Sequence, residues 1–300
     1  MQWKGRRESG NIEDRRGVGA KTGGLSILGL VVAFVAWKFF GVDPQQAYQA
    51  TQQIQQQTQL QSADAKPSAQ TAEQKEVASF VATILADTED TWNDIFRQQG
   101  AQYRQPKLVM FSGVVNSGCG SAESAMGPFY CPADQKIYID TTFFQEMHQQ
   151  LGIQKDQNTA QRITQNQAGE FAQAYVLAHE VGHHVQNLLG ISTQVEKMKR
   201  QSSQKQANQL SVALELQADC LAGVWAYRTQ QRTQFLQSGD VEVAMDAAHK
   251  IGDDYLQKRA RGQVVPDSFT HGSSAQRMQW FQTGLQNGDI ERCDTFQGQV

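Results

Sequence analysis

The sequence predicts an α+β fold, mostly helical with a small β-sheet, preceded by one transmembrane helix. Three observations carry this expectation. An uncharged apolar run begins at Gly23, apolar residues recur at three- and four-residue spacing beyond Val77, and two short β-rich stretches flank a segment dense in Gly and Ser.

Taken in chain order, residues 1–22 hold Lys4, Arg6, Arg7, Arg15, Arg16 and Lys21 against Glu8, Glu13 and Asp14. With no apolar run to nucleate a core, they are expected to form a solvated basic tail. Residues 23–42 read GGLSILGLVVAFVAWKFFGV. A helix of about 20 residues at about 1.5 Å each spans a hydrocarbon core, and Lys38 can snorkel to the headgroups beside Trp37, Phe39 and Phe40. A cleaved signal peptide and a buried core helix are the competing readings; the Ala-Trp-Lys-Phe-Phe exit gives poor support for cleavage. Basic residues ahead of the span place the N-terminus in the cytoplasm. The expected location is therefore the inner (plasma) membrane, single-pass, with everything after Val42 periplasmic or extracellular. Residues 43–75 are Gln, Ala, Thr and Ser around an isolated Leu60 and Pro67, too polar to offset ordering entropy, and are read as a flexible linker. The folded domain is residues 76–300.

Val77, Phe80, Val81, Ile84, Leu85, Trp92, Ile95 and Phe96 fall on one helical face, so the domain is expected to open with an amphipathic helix of about five turns. Residues 108–111 and 136–140 read as strands on either side of the Gly- and Ser-rich stretch 113–132. Helical patterns then cover about 142–151, 169–189, 208–230, 241–258 and 273–285.

Composition excludes two classes. With 27 basic and 30 acidic side chains in 300 residues the net charge is -3, which removes the electrostatic basis for a mainly nucleic-acid-binding role. A mean hydropathy of -0.54 excludes a polytopic membrane protein. The four cysteines, Cys119, Cys131, Cys220 and Cys293, are an even number in a domain placed outside the cytoplasm, so disulfides are expected, with three connectivities open. Cys119 with Cys131 is preferred because one loop between two strands brings both together, which leaves Cys220 with Cys293. Free buried thiols are the alternative; a zinc ribbon needs CxxC pairs, which the chain lacks.

The chemistry concentrates in AQAYVLAHEVGHHVQNLLG, where His179, Glu180 and His183 form an HExxH pattern. Residues four apart lie about one turn apart on one face. Both imidazoles can therefore reach one ion, and Glu180, rotated by about 100°, flanks it as a base. The surrounding apolar helix makes unpaired imidazoles and a carboxylate costly, which favours ligation over a satisfied polar patch. His184 sits off the ligand face and reads as packed or solvated; His148 and His249 have no partner pattern. Gly182 lets another segment approach between the ligands.

A catalytic zinc needs a third protein ligand and an open fourth place. Glu215, in LELQADCLAG, supplies the ligand, and Asp219 one turn on is placed to accept the Nδ1 proton of a ligand histidine. A solvated acidic face is the bland alternative, although acids at i, i+4 repel without a cation nearby.

HEVGHH followed by ELQADCLAG resembles the gluzincin-type zinc peptidases, which combine HExxH with a downstream ExxxD. Together with MQWKGRRESGNIEDRRG, the apolar run, GCGSAESAMGPFYCP and SFTHGSSAQR, the chain resembles the YpfJ-type neutral zinc metallopeptidases over nearly its whole length outside the Gln-rich linker. The resemblance implies a zincin-like domain, Zn2+ as cofactor, a peptide or protein substrate, and hydrolysis by metal-activated water with Glu180 as general base. His271 and Tyr175 are the two candidate donors to the developing oxyanion. His271 is preferred because its Thr-His-Gly segment is similar to a Thr-His-Pro segment of related membrane peptidases, although Gly272 replaces the proline; a role at the start of the last helix is its alternative. Arg277 is expected to anchor that helix on a buried carboxylate. The stretch 113–127 reads either as a lid or sheet edge receiving an extended peptide, or as a disulfide-tied loop. The stretch carries no signal for phosphate cradling, since no GKS or GKT follows and no GxGxxG opens a helix. The competing functions are a non-catalytic, zinc-stabilised, membrane-tethered scaffold for envelope proteins, and a soluble cytoplasmic enzyme with reduced thiols.

Overall fold

The structure is a computed structural model that describes residues 1–16, 71–123, 127–143, 159–250 and 252–297. The expected membrane span at 23–42 and nearly all of the linker lie outside these residues, as does most of the helix expected at 142–151. Among the described residues no helix is long and apolar enough to cross a membrane.

Strand β1 (Ile12–Asp14) precedes helix α1 (Ala72–Gln98), and five strands follow: β2 (Lys107–Phe111), β3 (Val114–Ser117), β4 (Gly120–Glu123), β5 (Phe129–Cys131) and β6 (Lys136–Asp140). The remainder is helical, with α2 (Thr159–Leu188), α3 (Ile191–Lys199), α4 (Gln204–Thr233), α5 (Asp240–Lys250), α6 (Asp253–Arg261) and α7 (Ser274–Asn287). The sheet runs β1-β2-β6-β5; β1 and β6 are parallel to β2, and β5 is antiparallel to β6. A separate antiparallel hairpin joins β3 and β4.

Successive side chains of a strand face opposite ways, and both faces of β2 and β6 are covered. Leu108, Met110, Ile137 and Ile139 face the main core with the helices, while Val109, Phe111 and Tyr138 face a second cluster holding Val115 and Ala122 of the hairpin. That double burial explains why both strands read as unbroken apolar runs. The Gly- and Ser-rich stretch forms the β3–β4 hairpin, whose turn residue Cys119 is bonded to Cys131 at the end of β5.

Helix α4 is buried without interruption from Leu216 to Ala226 because α2 packs on one side and α7 on the other. Its crossing with α7 depends on two glycines: a Cβ on Gly223 would lie 2.1 Å from the Phe281 carbonyl oxygen, and one on Gly284 would lie 1.9 Å from that of Cys220. Next to this crossing, the Cys220–Cys293 disulfide ties α4 to the short 3-10 helix Ile290–Cys293 that follows α7. Both disulfides therefore pair as the sequence suggested.

Several expectations are corrected. The opening helix has 27 residues, because its first turns are polar and carry no apolar periodicity. The pattern at 241–258 is two helices, broken at Gly252, a poor helix former, with α6 opening on Asp253 and Asp254. Helix α3, mostly polar with only Val195 buried, gave no signal of its own. The largest correction concerns residues 1–22: Met1–Arg15 is not a solvated tail but belongs to the same compact unit as the residues from Ala72 onward. Met1 and Trp3 are buried in the main core, and β1 is part of the sheet. Two scattered apolar side chains and a three-residue strand fall below what periodicity detects.

Candidate metal centre

Helix α2 brings His179 and His183 to one face, and α4 crosses it there. The approach is close at Gly182, where a Cβ would meet the Ala218 carbonyl oxygen at 3.0 Å and its Cα at 3.1 Å. This proximity carries Glu215 to the two imidazoles. The Nε2 atoms of His179 and His183 lie 3.2 and 3.5 Å from the two oxygens of Glu215, and one donor atom from each of the three residues falls within 4.8 Å of the others.

Each histidine is held from behind. Nδ1 of His179 donates to Asp219 Oδ1 at 2.8 Å, leaving Nε2 to face Glu215. Nδ1 of His183 donates to Gln186 Oε1 at 2.9 Å, and Gln186 is fixed in turn by donating to the Leu214 carbonyl and to Gln217 Oε1. Asp219 is fully buried and also accepts from Arg277 Nε at 2.8 Å, Arg277 Nη2 at 2.9 Å and the Tyr175 hydroxyl at 2.5 Å. Arg277 thus anchors α7 on a buried carboxylate.

The electrostatics ask for a cation. Burial would raise the Asp219 carboxyl, but the Arg277 guanidinium and His179 hold it at about 2. Burial acts on Glu215 in the same direction and is overcome by His183 and His179, so its carboxyl lies well below the usual range. Burial would lower both imidazoles, yet Asp219 and Glu215 raise His179, and Glu215 raises His183. Two imidazole nitrogens and a carboxylate that together favour positive charge, arranged around one point, fit a divalent zinc ion.

These residues form a wall of a cleft of about 410 Å³ that also includes Glu180, Tyr130 and His271. Glu180 sits beside the three donors without joining them. Burial pushes its carboxyl up, opposed by the two imidazoles and, more weakly, by the Tyr130 backbone amide. His271 lines the same cleft, half-exposed, just before the Ser273–Gln276 capping box that opens α7. Asp253 Oδ2 accepts the backbone amides of Thr270 at 2.7 Å, His271 at 2.7 Å and Gly272 at 3.2 Å, while its Oδ1 faces His271 Nδ1 at 3.2 Å. The hydrogen bond to Asp253 raises the His271 imidazole above its ordinary value, against a smaller lowering by burial. Tyr175, the other candidate donor, has its hydroxyl committed to Asp219.

Tyr130, Gln186 and Asp253 went unnoticed in the sequence. Gln186 was findable, three residues after His183 on the same face; Tyr130 and Asp253 reach the site only through tertiary contacts. Tyr130 closes the cleft from β5, its hydroxyl meeting His184 Nδ1 at 3.1 Å and accepting from Asn187 Nδ2 at 3.0 Å. His184 does not join the three donors, its Nε2 donating to the Arg104 carbonyl at 2.6 Å, and burial lowers it to about 4.

The model of a family described as "Putative neutral zinc metallopeptidase" matches residues 1–296. The chain is 45% identical to the uncharacterized protein YpfJ of Escherichia coli (strain K12) over 307 aligned residues, covering 99% of each. It is 41% identical to the uncharacterized protein Rv2575 of Mycobacterium tuberculosis (strain H37Rv) over 226 residues, covering 72% of this chain and 71% of that one. No solved structure matches. By its match from residue 1 to residue 296 and its near full-length similarity to YpfJ, the chain belongs to this neutral zinc metallopeptidase family.

Proposed function

We propose that the chain is a zinc-dependent peptidase in which His179, His183 and Glu215 hold the ion and Glu180 is the general base. One observation carries the reading: three donors converge in the wall of a cleft, with a fourth, unligated carboxylate beside them. A structural zinc site has no use for such a base. The bound ion would supply Lewis acidity, polarising a substrate carbonyl and lowering the pKa of a water towards about 7.

The chain's own groups supply the rest. Glu180 takes a proton from the attacking water and returns it to the departing amine, and burial, by raising its carboxyl above the ordinary value, makes it a stronger base. His271, with Nδ1 turned to Asp253, presents Nε2–H to the developing oxyanion when the ring is protonated, and Asp253 favours that state. Asp219 and Gln186 keep the ligand imidazoles in the tautomer that points Nε2 at the ion. Strand β5, at the sheet edge and lining the cleft through Phe129 and Tyr130, offers a backbone ladder for an extended peptide. Two disulfides support a workplace in an oxidising compartment outside the cytoplasm.

Glu180→Gln tests the assignment. Zinc content should be unchanged, and cleavage of a peptide library should fall by about 10²–10⁴-fold, the usual contribution of a general base. Wild-type cleavage by the zinc-loaded variant would end the hydrolytic reading.

A further inference from the structure

The face of α1 that receives residues 1–15 carries buried acids. Glu89 is 1% exposed, and its carboxylate accepts from the Ser9 hydroxyl at 2.5 Å, Asn11 Nδ2 at 2.8 Å and Arg7 Nη1 at 3.1 Å. Arg7 also bridges to Asp90 at 2.6 Å and donates to the Ala86 carbonyl at 2.7 Å. Asp87, 5% exposed, pairs with Arg6. A buried carboxylate without partners costs several kcal/mol, and the segment that covers this face also supplies the groups that satisfy it.

Apolar and backbone contacts agree. Trp3 packs edge-to-face on Phe80 with ring centroids 5.3 Å apart. The Gln2 amide donates to the Phe235 carbonyl at 2.8 Å, the Ser9 amide to that of Ala82 at 2.9 Å, and Arg15 to that of Met110 at 2.8 Å. Ile12, Glu13 and Asp14 pair in register with Leu108, Val109 and Met110, and Glu13 bridges onward to Lys136 of β6 at 2.8 Å. The segment therefore touches α1, the end of α4 and the central strands.

We propose that residues 1–15 are an edge strand and clamp built into the catalytic domain, and that they lie on the same side of any membrane as that domain. The single crossing expected at 23–42 would put them on opposite sides. The run 23–42 is 20 residues long, enough for one helical crossing at about 20 residues and too short for two.

The test is thiol accessibility in cells expressing the full chain with either Gly10→Cys or Val265→Cys. Both positions are exposed, and a Cβ at Gly10 meets nothing within 4 Å. A membrane-impermeant maleimide should label both variants or neither, with both labelled after detergent lysis. Labelling of one and protection of the other in intact cells would overturn the proposal. A second arm uses the purified full chain. Arg7→Glu sets a like charge against Glu89 and Asp90 and should lower the Tm of the domain by about 5 °C or more, a shift expected from roughly 2 kcal/mol in a domain of this size. An unchanged Tm would show that the segment is not clamped there. Neither arm reads peptide cleavage, so both stand apart from the peptidase reading.

Discussion

Asp219→Asn removes one charge and changes almost no volume. In the native protein this carboxylate takes two hydrogen bonds from Arg277, one from Tyr175 and one from His179, all out of contact with water. The asparagine has a single acceptor oxygen and brings an amide whose hydrogens would face the guanidinium or the imidazole. Breaking one half of a buried, hydrogen-bonded pair costs about 3–5 kcal/mol, and at about 2–4 °C per kcal/mol the midpoint should fall by roughly 10 °C. His179 also loses the acceptor that fixes its tautomer, so zinc affinity should weaken about 10- to 100-fold. Thermal melts of the apo protein and a competitive zinc titration measure the two effects separately. Tyr175→Phe removes only the neutral donor and should cost about 1 kcal/mol. If Asp219→Asn lost less than 1 kcal/mol and kept its zinc affinity, the support assigned to Asp219 would be wrong.

Other expectations follow from the same geometry. Because His271 must be protonated to donate from Nε2, and Asp253 raises its pKa, turnover should hold below that pKa and decline as the pH rises through it. Asp253→Asn should move this alkaline limb towards the ordinary imidazole value of about 6.5, and a limb that stays in place would remove His271 from the mechanism. The Cys220–Cys293 bond, between residues 73 apart in sequence, should be worth about 4.4 kcal/mol on loop-closure entropy and the 12-residue Cys119–Cys131 separation about 2.8 kcal/mol, so replacing Cys220 and Cys293 by Ser should give the larger fall in urea midpoint. The reverse order would show that loop length does not set what the link between α4 and the segment after α7 contributes. That replacement should also weaken zinc binding, because Gln217 spans from Gln186 to the Cys293 carbonyl.

Much of the site was legible because it is written in local spacing. His179, Glu180 and His183 share one helical turn, and Glu215 with Asp219 repeat that spacing on α4, so each pair announces its own face whatever the tertiary fold. Joining the two faces required only one crossing, which the small residues at Gly182 and Ala218 permit. Asp253 and Tyr130 were illegible for the opposite reason. Each acts through a contact with a distant segment, and neither has a neighbour in sequence that makes its type unusual. Helices declared themselves where one face is buried and the other wet; α3 is polar almost all round and did not. Charge pattern misled at the N-terminus. Arg6 and Arg7 look like a solvated basic run until their acidic partners on α1, some 80 residues away, are in place.

X-ray absorption at the zinc edge of the purified protein addresses the central claim most directly. The account predicts one zinc per chain, with two imidazole nitrogens at about 2.0–2.1 Å and a carboxylate oxygen, plus one further light-atom ligand that exchanges with added hydroxamate. Sulfur in the coordination sphere, an unchanged spectrum in Glu215→Ala, or a fourth ligand from the protein that no inhibitor displaces would contradict it.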